Sequence, residues 1–405
     1  MYRKLLFISG ANLTVNQRLL KELKFAVSQN YEVDFVGFYS GNWSDKIDKE
    51  IIKNIEANFH YISITRKPFF KWFFSSLVEK FAQKLYPFFK NNFKINTYAH
   101  SKRSILLNNY LKKNKKKYDL IIAHTLPTLY PAYNFAKQTN TKFTFDIEDY
   151  HPGEVISAGE KNETARRIFL MKNILPKASY ITYASPLIGK HSLELLNNYP
   201  ENQHLLINNC FSQTEFQFAE NNSKKIKFVW FSQNISQGRG LELVIPALAK
   251  FKDKIELHLI GNLYANFNDN FLSNYSDFIT IYKPLSQKEL NLKLSEFDIG
   301  LAIELNTADF NRQICLTNKI FAYTQSGLYV LATDTLAQIQ FVEEHGNIGL
   351  ITKQKTDDFI ISIEKIINNI SEIRSNKKSR FNYAQQLSWE NESKKLNSIW
   401  NKILK

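Results

Sequence analysis

Long apolar runs are absent from this 405-residue chain, and no stretch of about 18 or more apolar residues offers a bilayer-spanning helix. Cysteine is nearly absent too. Cys210 and Cys315 are the only two, far apart and without metal-ligand spacing, which excludes a disulfide framework. Glycine-rich nucleotide signatures are missing as well. The first turn reads Ser9-Gly10-Ala11-Asn12 rather than GxGxxG, and no GxxxxGK[ST] loop occurs, which argues against NAD or ATP chemistry. The opening MYRKLLFISGANLT has a charged head but only about five apolar residues after it, too few for a signal-peptide core. It reads as a first buried strand, and the cytoplasm is the expected compartment.

What is present is globular. Hydrophobic residues make up 44% of the chain and aromatics 14%, and the length suits two α/β domains. Net charge is +15, and its placement is informative. Between Arg66 and Lys117, fourteen Lys and Arg stand against one acid, Glu79. Such a segment expects a polyanionic partner (nucleic acid, anionic lipid or a phosphorylated substrate), or else forms a solvated basic face.

Short apolar runs alternate with helix-length segments from end to end. Strands are expected at 4–10, 31–38, 59–64, 118–125, 142–149, 180–185 and 204–209. A second set is expected at 225–232, 255–262, 278–284, 297–304, 328–335 and 348–353. Runs such as LLFIS and LIIA do not alternate, as expected when helices cover both faces of a sheet. Crossovers of ten or more residues favour parallel pairing. Local signals agree: Ser286-Gln287-Lys288-Glu289 is a capping box flanked by Leu285 and Leu290, and Gly327 stands where a helix should end. The expected fold class is α/β, with two doubly wound, Rossmann-like domains facing a cleft. Ligands of such sheets bind beyond the carboxyl ends of the strands, so two domains would present two ligands to one another.

Several segments of the second half occur in a telling order: FVWFSQNISQGRGLELVIPAL, LHLIGN, PLSQKELNLKLSEFDIGLAIE, LTNKIFAYTQSGLYVLATD and GLITKQKTDDFIISIEKI. LSWENESKKLNSIW closes the chain, while INNC (207–210) and FDIEDYHPGE lie in the first half. In this order the chain resembles the retaining GT-B glycosyltransferases often called group 1. The resemblance implies a GT-B architecture. Residues 1–210 would form the acceptor-binding domain, with 386–405 packing back on it as a returning C-terminal helix. Residues 211–385 would hold a nucleotide-sugar.

Gly238-Arg239-Gly240 lies between a strand and an expected helix starting near Leu241, where glycines and a helix N-terminus admit a diphosphate. Arg239 then falls where the family carries a cation against the departing diphosphate. Lys319, in Thr317-Asn318-Lys319, is a second such cation, and Arg312 a third. Cations aimed at charge that grows as the glycosidic bond breaks stabilise the transition state more than the ground state. The structural alternatives are a surface arginine capping a turn for Arg239, and a carboxylate partner within the protein for one of the three. The family's pair of glutamates has no counterpart here. Its positions are Ile314 and Ala322, which leaves Glu304, at a strand's carboxyl end, to take over one of these roles.

On the acceptor side, Asp146, Glu148, Asp149, His151 and Glu154 fall within nine residues. Asp146, Glu148, Asp149 and His151 are the candidates to bind sugar hydroxyls or accept a proton. Helix capping by Asp149 and a solvated loop around Glu154 are the plain alternatives. His124 suits a core position as well as a ligand-facing one. Gly10 and Asn12 would allow close approach of a ligand in the first loop, or simply serve a turn.

Between 69 and 93, Phe70, Phe74, Leu77, Phe81, Leu85 and Phe88 form a helical stripe flanked by Lys71, Lys80, Lys84, Lys90 and Lys94. This describes a helix lying in a membrane interface, with KKNKKK (112–117) adding attraction to anionic lipid. An ordinary helix with inward aromatics is the alternative. Nucleic acid is disfavoured, because no binding-domain signature accompanies the lysines.

These observations converge on a peripheral enzyme at the inner face of a membrane. It would move a hexose-type unit from a UDP- or GDP-sugar to a glycan or lipid-linked acceptor, with no metal or other cofactor expected. The product would be a cell-surface polysaccharide or glycoconjugate. A nucleotide-sugar epimerase of the same architecture and a non-catalytic sugar- or lipid-binding subunit are the alternatives.

Overall fold

Each of the thirteen predicted apolar runs forms a strand. The structure, a computed structural model, describes residues 3–157, 161–197 and 199–405. In the first half the strands are β1 (Lys4–Ser9), β2 (Glu32–Tyr39), β3 (Asn58–Ser63), β4 (Leu120–His124), β5 (Lys142–Ile147), β6 (Tyr180–Tyr183) and β7 (His204–Leu206). They form one sheet in the order β3-β2-β1-β4-β5-β6-β7, and every pairing in it is parallel.

The second half gives β8 (Ile226–Ile235), β9 (Ile255–Leu263), β10 (Ile279–Tyr282), β11 (Ile299–Ala302), β12 (Tyr329–Thr333) and β13 (Gly349–Thr352). Their order, β10-β9-β8-β11-β12-β13, repeats the first pattern, again with parallel pairs. Both sheets therefore reverse strand order once near the middle, between β1 and β4 and between β8 and β11. Doubly wound sheets bind ligands at the carboxyl ends of such a reversal, because the flanking loops diverge there.

The chain divides into two compact units: residues up to Ile207 with Lys395–Lys405, and Asn208–Lys394. The closing helix Trp389–Ile403 thus spans the division, and its second half belongs to the first unit. Trp400 explains this. It is wholly buried, its ring lies 5.7–6.3 Å from those of Phe7, Phe25 and Tyr31, and its Nε1 donates to Tyr180 Oη at 2.6 Å. The second unit's core is a continuous cluster through Phe228, Trp230, Leu257, Leu301 and Phe359. Local signals recur as expected. Ser286 and Glu289 form the capping box, and Gly327 follows the helix Asn318–Gln325 at φ +73.

The helix Phe69–Leu85 is built the opposite way from an ordinary domain helix. Its buried residues are the small Ser75 and Ala82, two turns apart, which let it approach the helices Phe93–His100 and Lys102–Lys113 closely. The aromatics point outward: Phe70 is 74% exposed, Phe81 61% and, just beyond the helix, Phe88 81%. Phe69, Phe73, Phe74 and Leu77 are exposed beside them, and the Leu85 end of the stripe is half-buried. Trp72 is the exception, half-buried, with Arg66 and Lys102 over its ring at 5.5 and 5.4 Å. The alternative of inward-packed aromatics does not hold, because the face they would need is occupied by small residues.

Candidate functional site

The reversal between β8 and β11 gathers the donor-side candidates. Gly238, Arg239 and Gly240 follow β8, and Gly240 opens the helix Leu241–Ala249 at φ +82. A Cβ there would stand 2.3 Å from Ile303 Cγ2 and 3.4 Å from Leu305, the two neighbours of Glu304. The glycine therefore lets its loop lie directly against the end of β11, and alanine would be both strained and obstructed. Arg239 at the loop tip is exposed. Gly238's N–H is taken by Glu242 Oε1 at 2.6 Å, so this one amide is engaged within the protein rather than offered to a ligand.

Glu304 is almost fully buried and accepts from Lys319 Nζ at 2.9 Å, with Arg312 3.9 Å from its other oxygen. Burial alone would raise this carboxyl, but Lys319 and Arg312, with the Thr317 hydroxyl, hold it below the usual carboxylate range. Two of the three candidate cations thus share one carboxylate within the protein. Two cations on one anion still leave positive charge, and Arg239 adds to it. Lys319 also lies 5.9 Å over the Trp230 ring, which fixes its stem. Asn318, at the first position of that helix, accepts from Asn209 at 2.7 Å. Ile314 and Ala322 are fully buried in the core, so a glutamate at either position would have no exposure to a ligand.

The reversal between β1 and β4 gathers the other set. Ser9, His124, Asp146 and Thr182 are cross-strand neighbours along one row at the carboxyl edge. Behind them the helix Gln17–Ser28 presents Arg18 and Glu22, one turn apart, among Leu19, Leu23 and Ala26. Arg18 pairs with both oxygens of Asp146, one at 2.7 Å, and donates to the Ile207 carbonyl; Thr182 also donates to Asp146. Asp146 is 1% exposed. Its role as a ligand-binding carboxylate is thus corrected to that of a framework residue tying a helix to three strands. Burial would raise its carboxyl, yet Arg18 and His124 hold it below the usual range.

Asn12 is corrected likewise. It is buried, donating to Ser44 Oγ at 2.8 Å and Asp45 Oδ1 at 3.1 Å. A Cβ at Gly10 would meet Thr125 Oγ1 at 2.5 Å, and the Gly10 N–H donates to that hydroxyl at 3.0 Å, so this glycine serves the β1–β4 junction.

Glu148, just beyond β5, is a candidate that reaches outward. Its side chain is 22% exposed and accepts from His124 Nδ1 at 2.7 Å. Asp149 follows, half-buried and partnered. His151 is buried, bonded through Nδ1 to Glu154 at 2.9 Å, and its carbonyl accepts from Arg167 at 2.7 Å. Burial would raise Glu154, but His151, Arg167 and His100 lower it. Glu163 joins the same network through His100, Arg166 and Arg167, and its carboxyl is lowered to about 2 despite burial.

Sequence reasoning missed Arg18 and Glu22. The available signal was their position inside the apolar stripe of a helix, where a charge has to find a partner. Glu22, His124 and Asp146 offer ligand atoms within 4.8 Å of one another. The set suits a cation poorly, because Arg18 already fills Asp146 and stands 4.0 Å from Glu22. A concavity of about 710 Å³ lined by Asn30, Tyr31, Glu32, Ile55 and Asn58 lies at the amino ends of β2 and β3, the opposite edge from all these residues.

Scans against known protein families and against curated proteins find no match. Solved structures do match along the full length. Sucrose-phosphate synthase from Thermosynechococcus elongatus is 14% identical, with 99% of each chain covered and a TM-score of 0.68. A glycosyltransferase from Rickettsia africae is also 14% identical, with 100% of this chain and 99% of that one covered and a TM-score of 0.67. HepE of Anabaena, solved with UDP, is 12% identical over 98% and 100% of the two chains at 0.65. Likeness at this level of identity speaks for the fold. From first strand to closing helix the chain is built as two doubly wound α/β units in succession, and it has the GT-B fold of these glycosyltransferases.

Proposed function

We propose that the protein is a glycosyltransferase that moves a hexose-type unit, with retention, from a UDP-sugar to a glycan or lipid-linked acceptor. A GDP-sugar is the second donor to test. The observation that carries the reading is that Lys319 and Arg312 meet at Glu304 beyond the carboxyl end of β11, against which the loop carrying Arg239 lies through Gly240. A leaving nucleoside diphosphate gathers negative charge as the sugar departs, and a cation already held in place there, as Lys319 is by Glu304 and Trp230, acts with little reorganisation. The neighbours support a uridine donor: HepE is solved with UDP, with UDP and glucose, and with UDP-glucose. With these cations in place, no metal is needed to neutralise the diphosphate.

Glu148 is the acceptor-side group we favour, since it is partly exposed and anchored by His124, which ends β4 at the β1–β4 reversal. A panel of nucleotide-sugars in a thermal-shift assay tests the reading. A cognate donor at about a hundred times its Kd adds about 2.7 kcal/mol to the folded state. Stabilisation by UDP-sugars is expected; a flat response across UDP- and GDP-sugars would count against it.

We also propose that the protein works at an anionic membrane surface, with the helix Phe69–Leu85 lying in the interface. A row of exposed phenylalanines edged by exposed lysines at 71, 80, 84 and 90 has the two properties such binding requires, apolar area and positive charge. Lys116 is set apart from the basic run after it, because its Nζ bonds the buried Asp34 at 2.7 Å. Neutralising Lys112, Lys113, Lys115 and Lys117 while keeping Lys116 should weaken sedimentation with anionic liposomes, by about 1 kcal/mol for each lysine that lies at the surface. Phe70→Glu with Phe74→Glu should abolish it. Undiminished sedimentation of both variants would remove the membrane from the proposal.

A further inference from the structure

His124 is a buried residue that the donor and acceptor assignments leave without a task. It ends β4, is wholly unexposed, and both its ring nitrogens face carboxylates. Nδ1 lies 2.7 Å from Glu148 Oε1 and 3.5 Å from Asp146 Oδ2; Nε2 lies 3.4 Å from Glu22 Oε2. A neutral imidazole has one donor and one acceptor nitrogen, so one of these faces would be repulsive. Only the doubly protonated ring is attracted on both sides, by a hydrogen bond at Nδ1 and by charge alone at Nε2, which makes no hydrogen bond.

The surrounding charges agree. Glu22 reaches the ring from the helix Gln17–Ser28, Asp146 from β5 and Glu148 from the segment beyond it. Arg18 is the cation nearby, committed to Asp146. Burial alone would lower the imidazole, but the three carboxylates push it up to about 10. A group raised in this way keeps its charge, and its contribution to folding, at and below neutral pH and loses both as pH rises towards that value.

The backbone at this point is specialised as well. Thr125, the next residue, has φ +70, an outlier for a β-branched side chain. Its hydroxyl accepts from Gly10 N–H, and Thr128 donates to the His124 carbonyl at 2.9 Å. Strain braced by hydrogen bonds holds the ring in one place.

We infer that His124 is a positioning residue: an imidazolium gripped between the buried Glu22 and the partly exposed Glu148, which fixes the Glu148 side chain at the mouth of the first sheet to accept a hydrogen bond from a substrate hydroxyl. The last clause rests on the glycosyltransferase reading; the grip itself does not. Glu148 would otherwise swing on a loop, and a carboxylate held by a fixed cation presents its lone pairs in one direction.

Protein labelled with ¹⁵N-histidine tests the grip directly. His124 is assigned by the signal lost in His124→Gln, or by the signal that Glu148→Gln perturbs most if that variant does not fold. Both its ring nitrogens should carry protons at pH 8, and Glu22→Gln should bring its titration down by about one pH unit or more. A His124 that is neutral at pH 8 in the wild-type protein would overturn the inference.

Positioning is tested with the UDP-sugar that the thermal-shift panel identifies. His124→Gln and Glu148→Gln should each lower kcat by roughly ten- to a hundredfold with the donor's thermal shift retained. The double variant should be no worse than Glu148→Gln alone, because one acts through the other. Multiplying losses would show independent roles and sink the positioning claim. Absence of turnover in the wild-type protein would instead sink the glycosyltransferase reading, leaving the histidine titration to decide on the grip.

Discussion

Arg239→Ala is expected to reduce transfer from a UDP-sugar by roughly a hundredfold or more while leaving thermal stability nearly unchanged. Arg239 is exposed at the tip of the glycine loop after β8, so removing it breaks no core packing. Surface changes of this kind normally alter stability by less than about 0.5 kcal/mol. Its side chain has one remaining use in this reading, to meet the diphosphate.

Lys319→Ala should lose as much activity and some stability as well. It deprives the nearly buried Glu304 of its closest cation, at 2.9 Å, leaving Arg312 at 3.9 Å and the Thr317 hydroxyl, and an under-satisfied buried charge costs about 1–3 kcal/mol. Lys319→Arg should keep the charge but disturb the fit over Trp230, giving a smaller loss. The pattern across the three variants is decisive. Full turnover in Arg239→Ala, measured at saturating donor, would remove the cationic site from the mechanism.

The second large effect concerns folding. Truncating either partner of the Arg18–Asp146 pair should destabilise the first unit by about 3–5 kcal/mol, since the survivor is left charged and dry. In urea this moves that unit's transition by roughly 1–3 M. Asp146→Leu combined with Arg18→Met should recover much of the loss, because the penalty comes from the stranded charge rather than from the missing attraction. The pH dependence follows from the sign. Asp146 is held below its ordinary value, so its contribution is complete above about pH 4 and is lost as the pH falls further. Single variants as stable as the parent would mean that the cluster is not the anchor it resembles.

These two predictions differ in how far the sequence could lead to them. Arg239 lies in a three-residue loop flanked by glycines, and its position after a strand and before a helix is a local fact. The capping box at Ser286, the positive φ at Gly327 and all thirteen strands are equally local. The spacing of apolar residues, the tolerance of glycine and the reach of a serine side chain act within a few residues, so a linear reading recovers them.

Arg18 and Asp146 are 128 residues apart, and Lys319 and Glu304 fifteen. Nothing near Asp146 in FDIEDYHPGE marks it as filled, while Glu148, two positions later, remains accessible. The same alternation of a strand that puts Asp146 towards the helix Gln17–Ser28 leaves its neighbours elsewhere, and only the packed helix reveals which side carries the partner. Asn12 was legible as a loop residue but not as one consumed by Ser44 and Asp45. The aromatic stripe was legible as a stripe. Its outward direction was set by Ser75 and Ala82, whose small size becomes meaningful only against a neighbouring helix.

Periodicity and backbone sterics therefore specified the two sheets, their helices and the loops at their edges. The commitment of each charged group to the framework or to a ligand was decided by tertiary packing. A buried charge takes whichever opposite charge the fold brings within about 4 Å, and that distance is a property of three dimensions rather than of chain order.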